Sequence, residues 1–189
     1  MLTGDHVILK AVSEPDLPQL LEWRNRPEYR QYFREYRELS IEQQHNWFNK
    51  LVLNDPSVRM FSIFERETDR LLGACGLCYI DWVNKNADFS IYIGADDLYI
   101  DKKYAVDAGK TMLQYGFDEL GLHRVWSEIY SIDPKKPDLF ATLGFRLEGQ
   151  HKETHWTHGQ WVDSHFYGML ASEFYERFNK TSTDALATV

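Results

Sequence analysis

Apolar and polar positions along the chain follow two periods. Alternating or continuous apolar runs rich in β-branched and aromatic residues read as strands at His6–Val12, Arg59–Glu65, Leu71–Ile80, Ala87–Ile93, His123–Tyr130, Phe145–Trp156 and Gln160–Leu170. Helical spacing is clearest from about Lys102 to Leu120, where Ala105, Ala108, Met112, Leu113 and Phe117 share one face, and Gly121 sits where a C-cap glycine belongs. Ser13-Glu14-Pro15-Asp16 opens an earlier helix that carries Leu17, Leu20, Leu21 and Trp23 and stops before Pro27. Ser40 and Gln43 form a capping box ahead of Trp47, Phe48, Leu51 and Val52. Asp133-Pro134 starts a helix that ends near Leu143, and the chain continues briefly as a helix after Glu173. The segment Glu28–Glu38 is aromatic and charged, and reads equally as a lid over a neighbouring site or as a plain surface helix or loop.

This order places a βαβ unit at the centre, from Ala87 to Tyr130. Its polar turn, Gly94–Asp101, feeds a helix whose first N–H groups lack intrahelical partners and whose dipole adds partial positive charge. Such a turn suits a phosphate or pyrophosphate. The expected fold is α/β, a mixed and twisted sheet with helices on both faces. One domain covers residues 1–180, and 181–189 reads as a flexible tail.

Composition narrows the partners. A hydrophobic content of 43% over 189 residues supports one substantial core. The net charge of −8 argues against nucleic acid, which needs clustered Lys and Arg, and fits a cationic or amine ligand. MLTGDHVILK lacks the apolar core of a signal peptide, and no apolar run reaches membrane-spanning length, so a cytoplasmic protein without membrane partners is expected. Cys75 and Cys78, three apart on a strand, point to opposite faces and read as core cysteines rather than a disulfide or metal pair. His151, His155, His158 and His165 follow no zinc spacing, so no metal is expected.

Three segments, Leu113–Val125 (LQYGFDELGLHRV), Leu143–Gly149 (LGFRLEG) and Gly159–Asp163 (GQWVD), resemble the GCN5-related N-acetyltransferases (GNAT) in order and spacing. The nearest likeness is to the branch that acetylates ribosomal-protein N-termini and to amino-sugar acetyltransferases with a Trp-Arg-Asn segment near the start. The resemblance implies acetyl-CoA as co-substrate, a small-molecule or peptide amine as acceptor, and direct transfer; sheets of this family often dimerise. Ile91, Tyr92 and Ile93 would hold the pantetheine arm and supply a backbone donor to the oxyanion. The loop Asp101, Lys102, Lys103, Tyr104, Ala105 and Val106 would hold the pyrophosphate. The family pattern there is Arg or Gln, two residues, Gly, one residue, then Gly or Ala; here only Ala105 matches. Asp133 stands at the family's asparagine and Phe140 at its acid tyrosine. Trp23, Arg24, Asn25 and Trp82 are the candidate acceptor contacts. An ammonium must lose a proton before its nitrogen attacks a thioester, so a base is needed; Asp88 is one candidate and Glu128 its rival. The substitutions also leave open a GNAT fold that has lost the reaction and kept a binding role, or one that uses another acyl donor.

Overall fold

The computed structural model describes residues 1–183. Its strands are β1 (Leu2–Thr3), β2 (Val7–Ala11), β3 (Arg59–Glu65), β4 (Leu71–Asp81), β5 (Asn86–Ile93), β6 (Arg124–Tyr130), β7 (Arg146–Thr157) and β8 (Gln160–Leu170). They form one sheet in the order β1-β2-β3-β4-β5-β6-β8-β7. Every neighbouring pair is antiparallel except β5 and β6, the two arms of the βαβ unit. The seven strands expected from alternation are present to within two residues at their ends; β1, two residues long, carries too little pattern to be read.

The helices are α1 (Leu17–Asn25), α2 (Pro27–Arg30), α3 (Ile41–Trp47), α4 (Tyr104–Gln114), α5 (Lys136–Leu143) and α6 (Ala171–Thr183). The α6 helix takes in Thr181–Thr183 of the expected tail, and 184–189 lie outside the described residues. None of the helices among the described residues is long and apolar enough to cross a membrane. Ala105, Ala108, Met112 and Leu113 of the expected apolar face are buried on α4, Phe117 is buried on the helical turn Tyr115–Glu119 that follows it, against Phe174 and Tyr175 of α6, and Gly121 takes φ +65° beyond, which glycine adopts without strain. The buried Asp107 carboxylate accepts the backbone N–H groups of Asp5, His6 and Val7 and so ties the start of the chain to α4.

Two features shape the centre of the sheet. The parallel register of β5 and β6 ends at Asp88↔Trp126, and the strands part beyond it. Opposite Asp88 on β4 a bulge lies between Cys78 and Asp81, with Tyr79 at φ +51°. Bulges of this kind re-aim side chains beside active sites. Cys75 is buried and Cys78 half-buried, and both are free thiols.

Candidate active site

The gap between β5 and β6 is the first component of the site. Ile93 N–H donates to the Tyr99 carbonyl (2.7 Å), while Gly94 N–H donates to Leu72 of β4 (2.7 Å). Alternation along the strand therefore turns the amides of Phe89, Ile91 and Ile93 toward β6 and those of Ser90 and Tyr92 toward β4. Ile93 is already engaged, which corrects the expectation that any donor from Ile91 to Ile93 is available. Ile91 is the one whose amide faces the gap.

The loop that enters α4 is built differently from a phosphate cradle. Asp101 Oδ2 accepts the N–H groups of Lys103 and Tyr104 (2.9 Å each), and its Oδ1 accepts that of Ala105 (2.7 Å). The helix therefore starts at Tyr104 rather than Lys102, and its free amides are satisfied by the protein's own carboxylate. The Lys102 and Lys103 side chains are exposed; Lys103 Nζ lies over the Tyr104 ring and donates to its hydroxyl. Ala105 is buried in the core and Val106 is half-buried.

Asp133 caps α5 as its position suggests, with Oδ1 accepting the amides of Lys135 and Lys136 (3.0 Å each). Its Oδ2 accepts the Tyr99 hydroxyl (2.6 Å), and Lys135 Nζ donates to the Leu98 carbonyl (2.7 Å). These two links fasten the β5–α4 loop to the start of α5. Burial and then the Asp133 charge hold the Tyr99 phenol well above its ordinary pKa.

Beside the gap lies a cleft of about 650 Å³. One wall is the irregular chain after α2, which supplies Tyr32, Phe33, Arg34, Glu35 and Arg37; the other is β4, β5 and β6 with Cys78, Tyr79, Asp88, Ser90, Tyr92, Ser127 and Glu128. Asp88, Ser90 and Tyr92 share this face, as strand alternation requires. The Asp88 side chain is buried, with Oδ2 accepting from Arg34 Nη1 (2.6 Å) and Oδ1 without a hydrogen-bond partner. Arg34 Nε also donates to Glu128 Oε2 (3.1 Å), whose Oε1 accepts from Ser164 Oγ (2.5 Å). Burial raises the Asp88 pKa, opposed by Arg34 and Lys136. Burial likewise lowers the Lys136 pKa, opposed by Asp133 and Asp88.

The remaining sequence candidates divide. Arg24 lines the cleft, with its guanidinium over the Phe33 ring. Trp23 does not: it is core, packed so tightly on Gly94 that a Cβ there would meet its ring at 2.0 Å. Asn25 does not either, because its side chain accepts from Leu39 N–H (2.9 Å) and donates to Leu39 C=O (2.8 Å), closing the loop that covers the cleft. Trp82 is on the β4–β5 turn, bonded through Nε1 to the Pro56 carbonyl (3.2 Å) and outside the lining. Phe140, expected at the cofactor, is instead buried among Phe89, Phe145 and Tyr167. A phenyl ring without a hydroxyl gains by apolar contact and has no reason to face a polar gap.

Among the cleft residues that the sequence does not mark as candidates, Arg34 and Lys136 are the two cations beside Asp88. Arg34 lies in the segment read as a lid or surface loop, where an arginine among acids gives no sign of its partners. Lys136 stands one helical turn before Phe140, and that spacing is the signal that places it on the same face of α5.

The acetyltransferase (GNAT) domain model matches residues 6–146. The N-acetyltransferase p20 of Bacillus licheniformis, itself uncharacterised, is 24% identical over 177 residues, 92% of this chain and 97% of that protein. The spermidine N(1)-acetyltransferase of Vibrio cholerae is 25% identical over 174 residues, 92% of this chain and 98% of that one. The crystal structure of spermidine N-acetyltransferase from Vibrio cholerae in complex with CoA and spermine shares the fold with a TM-score of 0.81, at 24% identity over 90% of this chain and 99% of that chain. With the family model spanning most of its length, and with the parted β5–β6 pair at the centre of its sheet, the chain belongs to the GNAT family of N-acetyltransferases.

Proposed function

We propose that the chain transfers an acetyl group from acetyl-CoA to the primary amine of a small molecule, directly and without a covalent enzyme intermediate. The observation that carries this reading is a coincidence of place. The parallel strands part just beyond Asp88, and Asp88 holds an unpartnered carboxylate oxygen at that point. The residues present fit the acyl end of acetyl-CoA: the gap is open and Ile91 offers an amide on its edge. At the loop the fit rests on the exposed ammonium groups of Lys102 and Lys103, since Asp101 already holds the amides. When bound, acetyl-CoA supplies the acetyl group as an activated thioester.

Around that donor, Asp88 takes the proton of the incoming ammonium, directly or through water. The Ile91 amide faces the oxygen on which negative charge develops. Phe140 has no proton to give, so Lys136, whose ammonium burial makes more acidic, is the donor to the departing thiolate. Cys78 lines the cleft but is no nucleophile: burial and then the Asp88 charge push its thiol up to about 12. Enclosure by the chain after α2 favours a small acceptor over a protein N-terminus. Polyamines are the first candidates on the strength of the relatives, and amino sugars the second.

Thermal-shift and calorimetric titration with acetyl-CoA, followed by thiol release with spermidine, glucosamine and a short peptide, tests the reading. Ligand at 100-fold over its Kd should stabilise the protein by about 2.7 kcal/mol. No binding at millimolar acetyl-CoA would leave the second reading, a GNAT fold kept for binding, which the self-capped loop favours. Lys136→Met should lower kcat by about 10²-fold, the lower end of what a positioned acid contributes, and should also lower stability, because the buried Asp88 and Asp133 carboxylates lose the ammonium that faces them. An unchanged kcat would remove Lys136 from the mechanism.

A further inference from the structure

The cation seated between Asp88 and Glu128 belongs to the protein itself. Arg34 bonds both carboxylates, at 2.6 and 3.1 Å, and its guanidinium carbon lies 5.6 Å from the Tyr79 ring centroid and 5.7 Å from that of Trp126. Two carboxylates and two aromatic faces around one positive charge make a cation site of general design, since ring faces attract cations within about 6 Å. The bulge at Cys78–Asp81 presents Tyr79 here, and the last parallel pair, Asp88↔Trp126, presents the opposite ring. Burial works against a charge at Arg34, but the two carboxylates more than offset it and keep the group cationic. The Asp88 oxygen that Arg34 leaves unpartnered remains available to a second donor.

We infer that Asp88, Glu128, Tyr79 and Trp126 form the seat of the acceptor's ammonium group, and that Arg34 is a resident cation that the acceptor must displace. The inference rests on the acetyl-transfer reading for the identity of the acceptor, but the seat is defined by its residues alone. Arg34 is carried by the irregular chain between α2 and α3 and not by a strand, so its side chain can leave the seat without disturbing the sheet. It would thereby select for ligands whose positive charge binds both carboxylates better than a guanidinium already in place.

The test is binding of ethylammonium and tetramethylammonium by calorimetry, with no acetyl-CoA present. Arg34→Ala is expected to bind ethylammonium about 10-fold more tightly than the wild-type protein, and Arg34→Lys, which keeps a cation in the seat, to stay near wild type. Arg34→Ala combined with Asp88→Asn should lose the gain. Should Arg34→Ala fail to fold, titration of ethylammonium into wild-type protein with ¹⁵N-labelled arginine reads the same event as a saturable shift of the Arg34 Nε resonance. No gain in Arg34→Ala, or a gain that survives Asp88→Asn, overturns the seat; so does an unmoved Arg34 resonance. An enzyme that acetylates amines while Arg34→Ala gains nothing refutes the seat and keeps the activity. A gain in cation affinity without any acetyl transfer does the reverse.

Discussion

Replacing Asp88 by asparagine is expected to lower kcat/KM about 10²- to 10⁴-fold while leaving the fold intact, the range over which a positioned base contributes. The variant is isosteric and its amide oxygen can still accept from Arg34 Nη1, so the melting temperature should change little. Glu128→Gln is the internal control. Both Glu128 oxygens are engaged, one by Ser164 and one by Arg34, so neither stands open to the acceptor, and its loss should cost less than about 10-fold on the same scale. The pH profile supplies a second readout. Asp88 is faced by Arg34 from the covering loop, Lys136 from α5, Glu128 from β6 and the Cys78 thiol on β4. Burial raises its pKa, Glu128 adds to the rise, and Arg34 and Lys136 oppose it. A base works only when deprotonated, so kcat/KM should fall as pH drops through a value above that of an ordinary aspartate. That acid limb should be absent from the residual activity of Asp88→Asn. If Asp88→Asn keeps its rate and Glu128→Gln loses it, the base is Glu128.

The comparison with the sequence divides along the range of the interactions involved. Strand alternation, the apolar face of α4, the capping box at Ser40, the cap at Asp133 and the positive φ of Gly121 are all set by residues close together in the chain, and each was legible. The charge pattern of the cleft was not. Arg34 reaches Asp88 across 54 positions and Glu128 across 94, and no local pattern encodes such pairs. Asn25 and Trp23 show the same limit in a different form. The Trp-Arg-Asn segment was read as a wall of the acceptor site, yet only Arg24 faces the cleft; tertiary contacts with Gly94 and Leu39 claim its neighbours. Asp101 is the instructive case, because the family pattern puts the pyrophosphate where this chain has a side chain that caps the helix. An aspartate just ahead of a helix is a capping residue by ordinary preference.

That cap leads to the other large expected effect, in which stability and donor affinity move in opposite directions. Asp101→Ala removes three hydrogen bonds to the first amides of α4. Loss of a helix cap costs about 0.5–2 kcal/mol, which for a domain of this size lowers the melting temperature by roughly 1–8 °C. The same change removes a negative charge from the loop proposed to hold the pyrophosphate and frees its amides. An anion at a helix N-terminus gains up to about 2 kcal/mol in partly buried geometry, so the Kd for CoA should tighten by about 10-fold and at most about 30-fold. Desulfo-CoA and pantetheine separate the contributions: the gain should appear with the former, which keeps the pyrophosphate, and vanish with the latter, which has none. Calorimetry of both ligands on wild type and variant, beside thermal unfolding, reads every quantity needed. A less stable protein that binds CoA more tightly would mean that Asp101 is a built-in competitor for the phosphate site, and that this chain trades donor affinity for a rigid loop. A less stable protein that binds CoA more weakly would mean the opposite. The cap would then be what shapes the loop for the donor, with Lys102 and Lys103 making the phosphate contacts from outside the helix end.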